Sequence, residues 1–342
     1  MKAIVFEKHG GPEVLKYTEA PEPVIRPNEV LVRVKACALN HLDLWVRAGI
    51  PGVPIPLPHI PGSDVAGEIA QIGAEVSTVR VGQKVVLAPG VTCGKCAACI
   101  SGKDNHCRQF TNLGYMIDGG CAEFARVPEV NCLPYPENLS WEEAASIPLV
   151  FQTAWHLLVA RAELQPAEDV LILGAGSGVG SAAIQIAKCF GARVLATASS
   201  DEKLQKAKEL GADHLINHKT QKIREEVRRI TGKRGVDVVF EHVGTATWDD
   251  SLASLAPSGR LITCGATTGY DAKIDLRFLF SRQLSLLGSY MGAKSELQTV
   301  LKLVAAGRFK PVVDRIFPLA EGAAAHAYLE SGSQFGKVIL SV

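Results

Sequence analysis

A chain of 342 residues with 47% hydrophobic side chains is too long for one ordinary core and apolar enough to fill two. Its 36 basic and 35 acidic side chains leave a formal charge of +1, which gives no field to gather nucleic acid or an anionic membrane. The opening MKAIVFEKHG carries charges where a secretion signal needs an apolar run, and no apolar stretch is clean enough to span a bilayer. With nine cysteines, such a chain is expected to keep reduced thiols in the cytoplasm.

In chain order, Glu29 to Lys35 alternates apolar and charged residues, the pattern of a half-buried strand. Val65 to Ile72 and Lys84 to Leu87 read the same way. Between Lys35 and Val65, Pro51 to Pro61 holds five prolines and excludes helix or central strand. A β-rich, loop-rich domain is predicted here. Cys93, Cys96, Cys99 and Cys107 follow, spaced C-x2-C-x2-C-x7-C in the loop 90–108. Four thiolates on a short turning loop meet the tetrahedral demand of zinc and leave no position open for substrate, so this reads as one structural zinc. Cys37, Cys121, Cys132, Cys189 and Cys264 are scattered and read as core filler.

The texture changes near residue 140. Ser140 with Glu143 forms a capping-box pattern that opens a helix into Ala144, Ala145 and Ile147. Strands and helices then alternate: strand Val170 to Leu173, helix Gly178 to Phe190 stopped by Gly191, and strand Arg193 to Ala198. A helix capped by Ser199 with Glu202 comes next and ends at Gly211. His214 to Asn217, Val236 to Glu241, Arg260 to Gly265 and Leu284 to Gly288 continue the strands. The basic stretch Lys219 to Arg234 holds Ile223, Val227 and Ile230 at helical spacing and reads as the wet face of an amphipathic helix. Alternating βαβ units predict a parallel, doubly wound sheet in an α/β class. From about Met291 the tail reads as helix and then the strand Lys337 to Val342, returning to the first domain.

Gly174, Gly176, Ser177, Gly178 and Val179 join the first of these strands to its helix. Glycines there let the backbone approach a pyrophosphate, whose charge the helix N-terminus attracts. An NAD-preferring site ends the second strand in Asp or Glu for the ribose hydroxyl; here Ala198 stands at that place. Ser199, Ser200 and Lys203 follow and suit a 2′-phosphate, so NADPH is favoured, with NADH also possible. For Lys203, a solvated helix position is the equal alternative.

The four-cysteine loop, the late dinucleotide unit and GPEVL (Gly11 to Leu15) together resemble the medium-chain dehydrogenase/reductase superfamily over essentially the whole chain. The resemblance implies a GroES-like catalytic domain at 1–149 and 290–342. It also implies a Rossmann domain at 150–289, with the active site in a cleft between the two. Zinc alcohol dehydrogenases of that family carry Cys-His-x-Asp, Gly-His-Glu and a later Cys. In their places stand Asn40-His41-Leu42-Asp43, Gly62-Ser63-Asp64 and Leu149. Leucine cannot bind zinc, and Asn and Ser are weak ligands for it, so a catalytic metal is not expected. A replacement site from His41, Asp43, His59 and Asp64 is the alternative, although His59 among its prolines reads as a surface or cleft histidine.

Asn40 resembles the quinone oxidoreductase branch, where the matching residue helps hold the nicotinamide. The resemblance assigns Asn40, Asp43 and Thr153 to catalysis. His242, Val243 and Gly244 follow the fourth strand and are expected beneath the cofactor, and Gly265 and Ala266, at the end of the next strand, beside the nicotinamide. Trp45 either shapes the substrate pocket or packs in the core. Without a Lewis acid, hydride transfer to an activated C=C is less demanding than carbonyl reduction. The expectation is therefore NADPH-dependent reduction of an enone or quinone, with no dedicated proton donor evident. A zinc-type alcohol dehydrogenase and a non-enzymatic NADPH-binding redox sensor or structural protein are the alternatives. The expected partners are a small-molecule substrate and further copies of the chain, as a homodimer or homotetramer, with no nucleic acid and no membrane.

Overall fold

The strand that opens at Glu29 runs on to Leu39 at the centre of a seven-stranded sheet; it is nearly all buried rather than half-buried, with only Arg33 exposed, and its alternation ends at Lys35, beyond which Ala36 to Leu39 are apolar and buried. The structure, a computed structural model, describes residues 1–342. Along that sheet lie Val313–Pro318, Lys337–Ser341, Glu29–Leu39, Asp64–Ile72, Lys84–Leu87 and Cys132–Pro134, with Phe124–Pro128 also paired to Glu29–Leu39. One side of Glu29–Leu39 is shared: Phe124–Pro128 pairs with its first half and Lys337–Ser341 with its last. The inward faces meet in a core that includes Val32, Val34, Leu39, Val65, Ile69, Leu87 and Leu340. This unit comprises Met1–Leu149 and Ala293–Val342. Its second segment therefore begins at Ala293 rather than at 290.

The tail is richer than its sequence pattern predicts. A helix at Lys294–Ala305 is followed by the strand Val313–Pro318, the helix Gly322–Glu330 and the strand Lys337–Ser341. The strand Val313–Pro318 escapes a sequence reading because its charged and apolar residues make no clean alternation. It is held by a parallel ladder to Lys337–Ser341 rather than by its own pattern.

Val150–Gly292 forms the other unit. Its six strands lie in the order His214–Asn217, Arg193–Ala198, Asp169–Ile172, Val236–Glu241, Leu255–Thr263 and Ser285–Gly288. Every pairing is parallel, the doubly wound arrangement of an α/β dinucleotide-binding fold. Asp169–Ile172 lies at the centre of the sheet and is fully buried, as a strand covered on both faces must be. The fifth strand starts earlier than the sequence suggests and stops at Thr263, so Gly265 lies in the loop beyond it. The helix after Ala198 runs Asp201–Glu209, and its N-cap is Ser200, one residue later than predicted. The Ser200 hydroxyl, not that of Ser199, accepts the Lys203 amide at 3.3 Å. No helix in the molecule is long and apolar enough to cross a membrane.

Candidate active site and zinc loop

The four cysteine sulfurs of the loop lie within 4.8 Å of one another and form the single His/Cys/Asp/Glu cluster able to hold a metal. Neighbouring Sγ atoms are 3.5 to 3.9 Å apart. Zinc with Zn–S bonds of about 2.3 Å in a tetrahedron needs sulfurs about 3.8 Å apart, so this set fits that ion. The spacing is far too long for a disulfide, and all nine cysteines are free. Backbone amides of Lys95 and Cys96 pull the Cys93 thiol down to about 6, while, against the Cys99 amide, thiol–thiol hydrogen bonds and burial push Cys96 up to about 11, so without a metal the four thiols share their protons unevenly. Beside the loop, Asp104 accepts the Lys294 amide at 3.0 Å and its ammonium at 2.7 Å, tying the loop to the helix Lys294–Ala305.

Asn40 leaves the end of strand Glu29–Leu39 and caps the helix His41–Ala48. Its backbone amide donates to Asp43 Oδ2 at 2.7 Å, while Gly62 donates to Asp43 Oδ1 at 2.8 Å. Gly62 sits at φ +105° against Cys37 and Cys121, and a Cβ there would fall 2.6 Å from one sulfur and 2.7 Å from the other. Only glycine brings that amide to the carboxylate. Burial pushes the Asp43 acid up to about 6, even though both amides and the Lys337 charge favour its ionised form.

The other half of the cluster comes from distant sequence. Asp64 begins strand Asp64–Ile72, opposite Ala38, and is completely buried. Lys337 begins the last strand, where Val338 pairs with Leu39, and is 3% exposed. Its Nζ donates to Asn40 Oδ1 at 2.5 Å and to Asp64 Oδ2 at 2.9 Å. Asn40 Nδ2 donates to the same Asp64 oxygen at 2.9 Å, and the Leu149 amide donates to the other at 2.7 Å. Sequence reasoning missed Lys337. A lone lysine in a C-terminal strand reads as a solvated residue, and only the ladder to Leu39 brings it to Asn40.

These contacts decide whether a catalytic zinc fits. Leu149 presents a backbone amide, a donor rather than a ligand. The Ser63 hydroxyl is committed to the Leu113 carbonyl at 2.7 Å. An ammonium already occupies the acceptors of Asn40 and Asp64. The donor set does not suit a divalent metal. The replacement set does not converge either. His59 is buried rather than at the surface, beside Phe6 with Asp118 at 3.8 Å, and burial lowers its basicity. Trp45, on the helix His41–Ala48, is 39% exposed and does not pack in the core.

In the dinucleotide unit, Gly174 turns at φ +58° and a Cβ there would reach the His242 ring at 3.0 Å. The Ser177 hydroxyl caps the helix Gly178–Cys189 by accepting the Gly180 amide at 2.9 Å. Gly178 and Val179 are first-turn positions, whose amides have no carbonyl one turn back inside the helix. His242 holds the turn from below, 2.8 Å from the Leu173 carbonyl and 3.3 Å from Ser177 Oγ, and burial lowers its basicity. Val243 follows, its amide donating to the buried Glu241 carboxylate at 2.5 Å; Gly244, Thr247 and Ser251 also donate to Glu241. Glu241, another residue missed in the sequence, shapes this loop. Gly265 packs on the His242 backbone, and Ala266 beyond it is exposed.

At the end of Arg193–Ala198 the His218 amide donates to the Ala198 carbonyl at 3.1 Å. Burial first, then the charges of Lys219 and Lys203, lower the His218 pKa, so three basic side chains share this corner. Thr153, on the helix Pro148–Trp155, is 5% exposed with a buried hydroxyl that has no partner. A dinucleotide fits these residues: Gly174 to Val179 would hold its pyrophosphate, and the bound nicotinamide would supply a hydride.

Fold and sites together define a nicotinamide-dependent oxidoreductase, and comparison with known proteins agrees. Residues 26–137 match the alcohol dehydrogenase GroES-like domain and residues 178–306 the zinc-binding dehydrogenase domain. A solved structure described as an NAD-dependent alcohol dehydrogenase is 46% identical, with TM-score 0.97 and all of both chains covered. An NAD-dependent alcohol dehydrogenase of Sulfolobus acidocaldarius is 33% identical over 100% of both chains. A quinone oxidoreductase of Rattus norvegicus is 31% identical over 99% of this chain and 97% of its own. The chain belongs to the medium-chain dehydrogenase/reductase superfamily and is an NAD(P)-dependent oxidoreductase.

Proposed function

We propose that this enzyme uses NADPH to reduce an activated C=C or a quinone by hydride transfer, without a catalytic metal. The observation that carries this reading is the fate of the zinc-ligand positions: Asn40 bonds an ammonium, Ser63 bonds a carbonyl and Leu149 offers an amide. An alkoxide would develop here with no metal to receive it, whereas an enolate spreads its charge and needs only hydrogen-bond donors. Asn40 and Asp43 fix the geometry of the substrate end, and Thr153 offers its unpartnered hydroxyl to the nicotinamide. The 2′-phosphate is assigned to Ser199 and Lys203, helped by His218 and Lys219. The Ser200 hydroxyl is already engaged as a cap, which weakens its share. The same proposal includes cytoplasmic residence and a homodimer or homotetramer. The chain-terminal strand of the six-stranded sheet, Ser285–Gly288, has an unpaired edge near the exposed Leu276 and Phe280, which supports self-association.

The test is turnover of α,β-unsaturated ketones, quinones and simple alcohols with either cofactor. Reduction of an enone or quinone with NADPH is expected, unchanged by a chelator that leaves the cysteine loop loaded. Robust oxidation of an alcohol that the chelator abolishes overturns the reading.

A further inference from the structure

We propose that Asp104 and Lys294 join the cysteine loop to the start of the helix Lys294–Ala305 as one cooperative element, so that zinc in the loop fixes the point where the chain re-enters its first unit. The proposal stands on the zinc assignment of the loop and is independent of the reduction proposed above.

The helix does not cap its own first amide. Its N-cap is Ala293, whose methyl offers no oxygen, and alanine is among the weakest residues in that place. Glu296 turns back to accept the Ala293 amide at 2.6 Å, which leaves the Lys294 amide to be met from elsewhere. Lys294 also puts a cation at the end of the helix where the dipole repels one. The cysteine loop corrects both defects. Asp104 Oδ1 accepts the Lys294 amide at 3.0 Å, and Asp104 Oδ2 accepts from the Lys294 ammonium at 2.7 Å. The same ammonium donates to Thr92 Oγ1 at 3.3 Å. The Asp104 and Lys294 side chains are 13% and 15% exposed, so water screens this pair little.

Both anchor points on the loop adjoin zinc ligands. Thr92 precedes Cys93. Asp104 lies between Cys99 and Cys107, and its carbonyl accepts the Cys107 amide at 3.0 Å. Four sulfurs on one ion would close this segment at both ends. Its own structure is only the four-residue helix Ala97–Ile100 and the three-residue turn Asp104–His106, both too short to hold themselves. The carboxylate that caps the helix is therefore positioned through the metal ligands. The cap falls where holding is needed: the chain re-enters its first unit at Ala293, and two residues earlier Met291 takes φ +54°. A non-glycine residue keeps that left-handed conformation only when its surroundings impose it. Linkage makes the coupling reciprocal, so a helix start that zinc orders must strengthen zinc binding by the same factor.

The experiment measures zinc affinity, by competition with a chromophoric chelator, for wild type, Asp104→Ala, Lys294→Met and the double variant. Asp104→Ala should weaken zinc about tenfold. Lys294→Met, which keeps the amide contact, should weaken it less and add nothing in the Asp104→Ala background. Charge alone gives the opposite sign, because a loop of protonated thiols becomes net negative on loading and losing a nearby carboxylate would then tighten zinc. Hydrogen exchange gives a second readout. Amides 294 to 297 should exchange about tenfold faster in zinc-free than in zinc-loaded wild type. In Asp104→Ala they should exchange fast with or without zinc, while amides 300 to 304 of the same helix keep their protection. Zinc binding by Asp104→Ala as tight as in wild type or tighter, or additive effects of the two changes, overturns the proposal. So does exchange at the helix start that ignores zinc, or that rises equally along the whole helix.

Discussion

The cysteine loop and the Asn40–Asp64–Lys337 cluster both organise around a positive charge, but they obtain it differently. The loop gathers four thiols within fifteen residues of sequence, Cys93 to Cys107, and a divalent ion taken from solution would balance them as thiolates. The cluster draws Asn40, Asp64, Leu149 and Lys337 from across the chain and carries its cation on a side chain. One region keeps four side chains able to hold a metal, and the other joins its polar side chains through an ion pair.

The largest contrast is expected on losing one ligand of the loop. Cys96→Ser should lower zinc from about one equivalent per chain to near none, because a tetrahedral thiolate site does not tolerate a hydroxyl in that place. Cofactor affinity should hold, since the dinucleotide residues belong to the other unit. Metal analysis with a cofactor titration checks both, and two tightly bound zincs in the wild type would break the comparison.

In the cluster, Asp64→Ala strands a buried ammonium and should destabilise the protein by about 3–5 kcal/mol. Adding Lys337→Met in the same background should recover much of that loss, which a denaturant-midpoint cycle measures. Additive effects of the two changes would show that the pair is not coupled.

Asp43 sharpens the comparison through pH. Its folded pKa of about 6 lies above the ordinary value of 3.8, so the neutral acid is favoured in the folded state. Its stabilising contribution is fully present below about pH 4 and is lost as pH rises to about 6, by about 3 kcal/mol in all. The stability gap between wild type and Asp43→Asn should narrow across that window and stay flat above it. A gap independent of pH would remove the burial argument.

The smallest effect concerns cofactor choice. Ala198→Asp should shift the NADPH:NADH preference toward NADH by about tenfold or more, as the new carboxylate repels a 2′-phosphate and accepts from a ribose hydroxyl. Tighter NADH binding by the wild type would contradict the proposal for His218, Lys203 and Lys219.

The sequence alone determined the features that depend on near neighbours. Cysteine spacing, the Gly174–Val179 turn, the buried strands of the doubly wound sheet and the loss of ligand chemistry at Ser63 and Leu149 are all local patterns, because metal geometry, backbone freedom and hydrophobic period act over a few residues. The Ser199 cap was misplaced by one residue, since adjacent serines offer the same hydroxyl and only the backbone angle at Ser200 selects the cap. The tertiary structure decided the rest. Strand Val313–Pro318 exists through its parallel ladder, Glu241 is buried as the acceptor that holds the loop after it, and His59 is buried beside Phe6. Lys337 meets Asn40 and Asp64 through strand register, which fixes pairings between residues far apart in sequence and leaves no mark in the composition around any one of them.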